Sequence, residues 1–283
     1  THKNMASFYH YTSIDTLYSM LGNSIVEEET GNSYLSLWAT HINFLNDETE
    51  RELYVNKLLS DVTNYFTCKN EYPTPQQIEY IKQLCINNIY VISLSSEKLN
   101  DDLSMWRGYG ANGYGVCIEF DFSKIAPFSW NKDTNMYQTE NVYAPQKCIY
   151  CKPEEIEIDN ELIEKIYNHL TNNSNVNSLD YTMNEASIIT QIMNKIAIYK
   201  HEAYIVEDEY RIINHSYGKP KFNKVGNVIK PYMVYPIPVT AISSITIGPC
   251  NKNSDIVRGL VRFIKTKLGN NFVIKYSNIP YRG

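Results

Sequence analysis

Hydrophobic positions recur along this chain with two periods, and each period marks a different kind of element. Ser7 to Thr12 is aromatic-rich and reads as a first strand; Ile14, Leu17, Tyr18 and Leu21 then fall at i, i+3, i+4 and i+7, the spacing of one helix face. Thr12 with Asp15 has the capping-box spacing that starts such a helix, and Gly22 offers a left-handed stop. Tyr34 to Thr40 is a second β segment. Asp47 and Glu50 repeat the capping spacing ahead of a helix reaching about Phe66, with Asn46 and Asp47 as its caps. Beyond a polar tract at Pro73 and Pro75, Ile78, Ile81, Leu84 and Cys85 mark another helix. Ile89 to Ser96 is the clearest strand of the first half, with Ile89, Val91, Ser93 and Ser95 on one face. Glycines at 108, 110, 113 and 115, followed by a β-rich run to Phe120, predict a turn and then a strand. These glycines suit either a tight backbone or the close approach of a ligand.

The second half is predicted as an acidic amphipathic helix over 154–171, a polar linker over 171–180 and a longer helix from about Met183 to His201. Beyond a β run at 204–213 follow a basic loop with Lys219, Lys221 and Lys224, strands near Tyr232–Tyr235 and Ala241–Ile247, a helix over Asp255–Leu268 and a last strand at Phe272–Tyr276. No repeat is visible. Because β segments bracket the helices between 154 and 202, the pattern predicts an α+β protein in which residues 1–283 form one domain with a helical subregion.

Composition narrows the class. Hydrophobic content of 43% and charged content of 20% exclude disordered and fibrous chains. No apolar run approaches the roughly 20 residues of a membrane span, and no basic-then-apolar leader opens the sequence. Six scattered cysteines fit a reducing compartment, so a cytoplasmic protein without membrane partners is expected. Cys148 and Cys151 form a lone CxxC without a second pair, which argues against zinc. Charge is segregated: residues 1–213 carry 15 Lys/Arg against 30 Asp/Glu, and residues 214–283 carry 11 against 1. The basic third therefore faces something anionic, nucleic acid or nucleotide phosphates, or else packs on the acidic body.

The candidate chemistry centres on Tyr204–Ile213, where apolar residues enclose an acidic cluster at strand-like spacing. A strand here puts Glu207, Glu209 and Arg211 on one face, so that one carboxylate can stabilise a developing cation while the other takes a proton.

Three separated pieces, a strand with His10, a strand with Ser93 and Ser95, and one with Glu207-Asp208-Glu209, come in an order that resembles the ADP-ribosyltransferase superfamily. The opening unit is similar to that of the DNA-modifying DarT-like toxins. The chain also resembles a family of uncharacterised bacterial proteins through His10-Tyr11-Thr12-Ser13, Asn46-Asp47-x-x-Glu50, Met105-Trp106-x-x-Tyr109, the run from Gly115 to Phe120, and Glu207-x-Glu209-Tyr210-Arg211. The resemblance implies a mixed, mainly antiparallel sheet with peripheral helices, and NAD as substrate, in a transferase or NAD glycohydrolase that acts as a defence or toxin effector. Glu209, or alternatively Glu207, would stabilise the oxocarbenium-like ribose left when nicotinamide departs, and its neighbour would accept the nucleophile's proton. His10, with Tyr11 and Thr12 beside it, would hold the ribose or the nicotinamide amide; Tyr11, Tyr109 or Trp106 would stack on the nicotinamide. Ser93 and Ser95 would brace the acidic strand, and Arg211 or Arg107 would meet a phosphate. A nucleic-acid or protein acceptor would approach the basic C-terminal region. Two other readings compete: a non-catalytic nucleotide- or nucleic-acid-binding module on the same fold, and a metal-dependent hydrolase built on His10, His41, Asp47 and Glu50.

Overall fold

The computed structural model describes residues 7–26, 33–45, 50–86, 89–125, 144–172, 183–215, 218–251 and 254–283. In chain order its elements are β1 (Ser7–Thr12), α1 (Ile14–Gly22), β2 (Ile25–Val26), β3 (Ser33–His41), α2 (Glu50–Cys68), α3 (Pro75–Ile86), β4 (Ile89–Ser95), α4 (Leu103–Gly108), β5 (Val116–Asp121) and β6 (Gln146–Lys147). There follow β7 (Ile149–Cys151), α5 (Asn160–Asn172), α6 (Met183–Ile198), β8 (Tyr199–His201), β9 (Glu209–His215), β10 (Lys221–Val225), β11 (Val228–Pro238), β12 (Ile242–Ile247), α7 (Ser254–Leu268) and β13 (Ile274–Tyr276). The fold is α+β, a mixed and mainly antiparallel sheet with helices at its periphery.

The sheet forks at β4. Along one edge β4 pairs with β9 over its whole length, from Ile89↔His215 to Ser95↔Glu209. A strand has only two edges, so β3 and β1 must share the other. β3 pairs there at Thr40↔Val91 and His41↔Tyr90, and β1 at Tyr9↔Ser95. Between these points the two partners splay apart. β3 leads into one branch with β11 and β10, and β1 into another with β5, β12 and β13.

Alternation along β4 decides what each face meets. Tyr90, Ile92 and Leu94 join the buried cluster that holds Leu17 and Met20 of α1 and Leu260 and Ile264 of α7. Ile89 and Val91 point the other way, into a cluster with Tyr54 and Leu58 of α2, Leu162 of α5 and Ile192 of α6. The same face continues past those helices as Ser93 and Ser95, and there the apolar filling stops.

Several local expectations are corrected. Thr12 is still paired with Val116 in the β1–β5 ladder, so it stays extended and Ser13 becomes the N-cap of α1, its hydroxyl accepting from Thr16 N at 3.0 Å. The helix closes on Asn23 at φ −99° rather than on a left-handed Gly22. Ahead of the glycine turn lies a helix that the sequence pattern did not mark, α4, which Asp102 caps by accepting from Ser104 N and Met105 N at 2.8 and 3.1 Å. The basic loop at Lys221 and Lys224 is a strand, β10, paired with β11. Asn46 and Asp47 lie outside the described residues, as does most of the linker at 171–180.

The glycine run serves backbone packing. A Cβ on Gly115 would stand 2.1 Å from Thr12 O and 2.8 Å from Gly110 O, both backbone atoms that cannot rotate away. Gly115→Ala is therefore expected to lower the unfolding free energy by about 3 kcal/mol, measured by urea denaturation. Gly108→Ala is the control: a Cβ there meets nothing within 4 Å.

Candidate active site

A cavity of about 200 Å³ opens where the branches diverge. Its wall draws on β1 (Tyr9, His10, Tyr11), β4 (Ser93, Leu94, Ser95), β9 (Glu209, Arg211) and both sides of the fork, with Thr40 of β3 and Lys230 of β11 opposite Met105 and Tyr109 of α4 and its C-cap. Lys200, Tyr204 and Glu207 complete its lining. His10, Tyr11, Ser93, Ser95, Tyr109, Glu207, Glu209 and Arg211 thus share one hollow.

The acidic segment is not one strand. Glu202–Glu207 forms a 3₁₀ turn, Asp208 is left-handed at φ 36°, and β9 begins only at Glu209. Asp208 is held in that conformation by Ser96 Oγ, 2.5 Å from its Oδ2, and by Lys147 Nζ, 2.9 Å from its Oδ1. The left-handed residue breaks the alternation, so Ile205 and Val206 are exposed and Glu207 approaches Glu209 through a turn. In register, Glu209 stands opposite Ser95 and Arg211 opposite Ser93.

Glu209 and Arg211 are 5% and 1% exposed. Arg211 grips the carboxylate with two prongs, Nε to Oε1 at 2.8 Å and Nη2 to Oε2 at 2.9 Å, and its Nη1 donates to Ala197 O at 2.8 Å. Lys200, itself buried, donates to Glu209 Oε2 at 2.8 Å and to Glu207 Oε2 at 2.5 Å. Tyr109 Oη donates to the remaining Glu207 oxygen at 2.5 Å. Two carboxylates face two cations, which is how so much charge is tolerated away from water. Burial alone would raise the Glu209 pKa, but the charges of Arg211 and Lys200 outweigh it and hold the carboxyl at about 2.

Because the folded pKa lies below the ordinary 4.5, Glu209 contributes stability that is complete above pH 4.5 and is lost as pH falls toward 2. The loss amounts to about 3 kcal/mol. Denaturant midpoints measured across this window should fall more steeply for the wild type than for Glu209→Gln, and the two profiles should run parallel above it.

His10 occupies the fork itself. Its Nδ1 lies 3.0 Å from Ser93 O; a carbonyl only accepts, so Nδ1 carries the proton and Nε2 the lone pair. Burial pushes the imidazole below its usual pKa, so the ring is neutral near pH 7. Tyr11 spends its hydroxyl on structure, donating to Leu99 O at 2.6 Å and accepting from Asp102 N at 3.2 Å. Burial raises the phenols of Tyr11 and Tyr109 above their ordinary range.

Other expected residues fall elsewhere. Trp106 is fully buried, edge-on to Tyr11 with centroids 4.8 Å apart and its Nε1 donating to Asp101 at 2.7 Å, so it packs the core instead of stacking on a ligand. Arg107 is exposed and lies over the Tyr281 ring at 5.5 Å. Thr12 is buried in the β1–β5 ladder. Arg211 is an internal counter-ion rather than a phosphate ligand. The sequence reading missed Lys200 and Lys230, and Lys230 donates to Phe44 O at 3.0 Å on the cavity wall. Nothing in the local pattern of Tyr199-Lys200-His201 marks a buried cation; only its place seven residues before Glu207 hints at one. Among the described residues no group of three or more His, Cys, Asp or Glu side chains has the geometry to hold a metal ion, and no helix is long and apolar enough to cross a membrane.

Residues 105–212 match the model of a family described as a protein of unknown function (DUF2971). That stretch is less than half the chain. It begins in α4 and ends in β9, and so contains Tyr109, Lys200, Glu207, Glu209 and Arg211 but not His10, Ser93 or Ser95. No curated protein and no solved structure matches.

Proposed function

We propose that this protein is an ADP-ribosyltransferase-like enzyme that breaks the nicotinamide–ribose bond of NAD and passes ADP-ribose to a macromolecule or to water. The observation that carries this reading is the convergence of the neutral His10 imidazole and the Glu207–Lys200–Glu209 cluster on a single cavity. At about 200 Å³ the cavity is smaller than the roughly 300–1,000 Å³ of pockets that enclose drug-sized ligands, so it takes the nicotinamide–ribose end and leaves the rest of the dinucleotide outside.

Nicotinamide leaves with the electron pair of its bond to ribose, and positive charge develops on the sugar. A carboxylate beside the ribose stabilises charge present only in the transition state. Glu209 is committed to Arg211 and Lys200, with its side chain 6% exposed against 14% for Glu207. Glu207 is therefore the acting carboxylate, steered by Tyr109, while Glu209 holds Lys200 in place. The lone pair on His10 Nε2 accepts a hydrogen bond from a ribose hydroxyl. The incoming nucleophile gives up its proton to Glu207 as its bond to the sugar forms.

Incubation with NAD is expected to release free nicotinamide. Saturable NAD binding with no release would overturn the enzyme reading and favour the binding module, a reading supported by the complete internal pairing of Glu209.

A further inference from the structure

Most of the basic third of the chain divides between two places; of the rest, Lys275 on β13 is paired with Glu119 at 2.8 Å. Arg262, Lys265 and Lys267 lie on α7, which packs through Leu260 and Ile264 on the face of the sheet turned away from the cavity. The remaining cluster belongs to the branch β3–β11–β10. Its three strands contain no acidic residue, and no Asp or Glu occurs between Asn214 and Ser254. In a chain whose first 213 residues carry twice as many acids as bases, that is a sharply bounded cationic surface.

Strand register connects it to the cavity. Thr40, on the cavity wall, stands opposite Tyr232, and Tyr232 stands opposite Lys221. Directly opposed residues share a face, and neighbouring strands are about 4.8 Å apart. Thr40, Tyr232 and Lys221 therefore form a row across three strands, from the cavity to the exposed sheet edge, in about 10 Å. Lys230, two positions before Tyr232 on the same face, lines the cavity. The Tyr232 ring stacks on Trp38 of β3, with centroids 4.5 Å apart and planes 29° from parallel. Both rings are half-buried, and neither belongs to a buried cluster of the described residues. This face thus offers flat aromatic surface and positive charge in one line.

We propose that this face of the β3–β11–β10 branch binds a single-stranded nucleic acid and leads it to the mouth of the cavity. Lys221, with Lys219 just before it, neutralises phosphates; the Tyr232–Trp38 pair stacks an unpaired base. Duplex DNA hides its base faces and has no use for the stack. Binding does not depend on the NAD reading, although a strand held here would present its nucleotide to a ribosyl cation formed in the cavity.

The test is fluorescence polarisation of the whole protein with labelled oligothymidylate, oligouridylate and a DNA duplex, over a range of salt. Binding to a single-stranded probe is expected to weaken linearly in log–log salt plots, and the slope should become shallower by about 0.7 for Lys221→Ala. Tyr232→Leu should weaken binding about fivefold or more, and Tyr232→Phe should restore it. Charge reversal on α7, Arg262→Glu with Lys265→Glu, should leave affinity unchanged. The proposal is overturned by absence of oligonucleotide binding, by equal affinity for duplex, or by a loss on α7 reversal matching that at Lys221. Preference between the two single-stranded probes assigns the strand to DNA or RNA. Nicotinamide release is measured on the same variants without oligonucleotide: if release persists while no probe binds, only this proposal falls, and if probes bind while release is absent, only the NAD reading does.

Discussion

Glu207→Gln is expected to slow nicotinamide release from NAD by about 100- to 1,000-fold, the range seen when one preorganised electrostatic group is removed from a transition state. Tyr109 and Lys200 each use a different Glu207 oxygen. The substitution keeps the shape and one acceptor oxygen, which stays on Lys200 while the Tyr109 hydroxyl turns to accept from the new amide. It removes the charge, so the fold and the KM for NAD should change little while kcat falls. Full activity in this variant, with unchanged stability, would remove Glu207 from the chemistry. Glu209→Gln does not give the same information. Glu209 sits between Arg211 and Lys200 with both oxygens taken, and its loss disturbs the placement of Lys200 before it says anything about catalysis.

Arg211→Met is expected to cost about 3–5 kcal/mol of folding free energy, because it strips a buried carboxylate of its two-pronged partner. Lys200 alone would remain, and it is shared with Glu207. Combining Arg211→Met with Glu209→Gln should recover much of the loss, since the uncompensated charge disappears with its counter-ion while Lys200 keeps its bond to Glu207. Urea midpoints of the two single variants and the double variant close the cycle. A double variant as unstable as the sum of the singles would mean that the two side chains act independently, contrary to their contact.

How much of this could be read beforehand depends on how local each cause was. Ile89-Tyr90-Val91-Ile92-Ser93-Leu94-Ser95 announced a strand and, through its alternation, the face on which the serines lie. The α5 and α6 stripes announced helices that bury one side. The 204–213 segment misled because alternation assumes an unbroken strand, and the left-handed Asp208, secured by Ser96 and Lys147 from distant parts of the chain, breaks it. The serine and lysine that impose this turn lie 112 and 61 residues away in sequence. Trp106 became a candidate for stacking on nicotinamide only through the resemblance to the ADP-ribosyltransferases; Asp101 and Tyr11 make it core instead.

The sequence by itself determined the α+β class, the order of most strands and helices, the segregation of charge and the candidacy of His10, Ser93, Ser95 and the two glutamates, because periodicity, composition and residue chemistry are written within a few positions of one another. Only the tertiary structure decided that the sheet forks at β4, that His10 closes the gap, that Lys200 bridges the carboxylates and that Arg211 is spent inside the protein. Those outcomes depend on which strand edge is left free and which charges must be paired once buried, and both are settled between residues far apart along the chain.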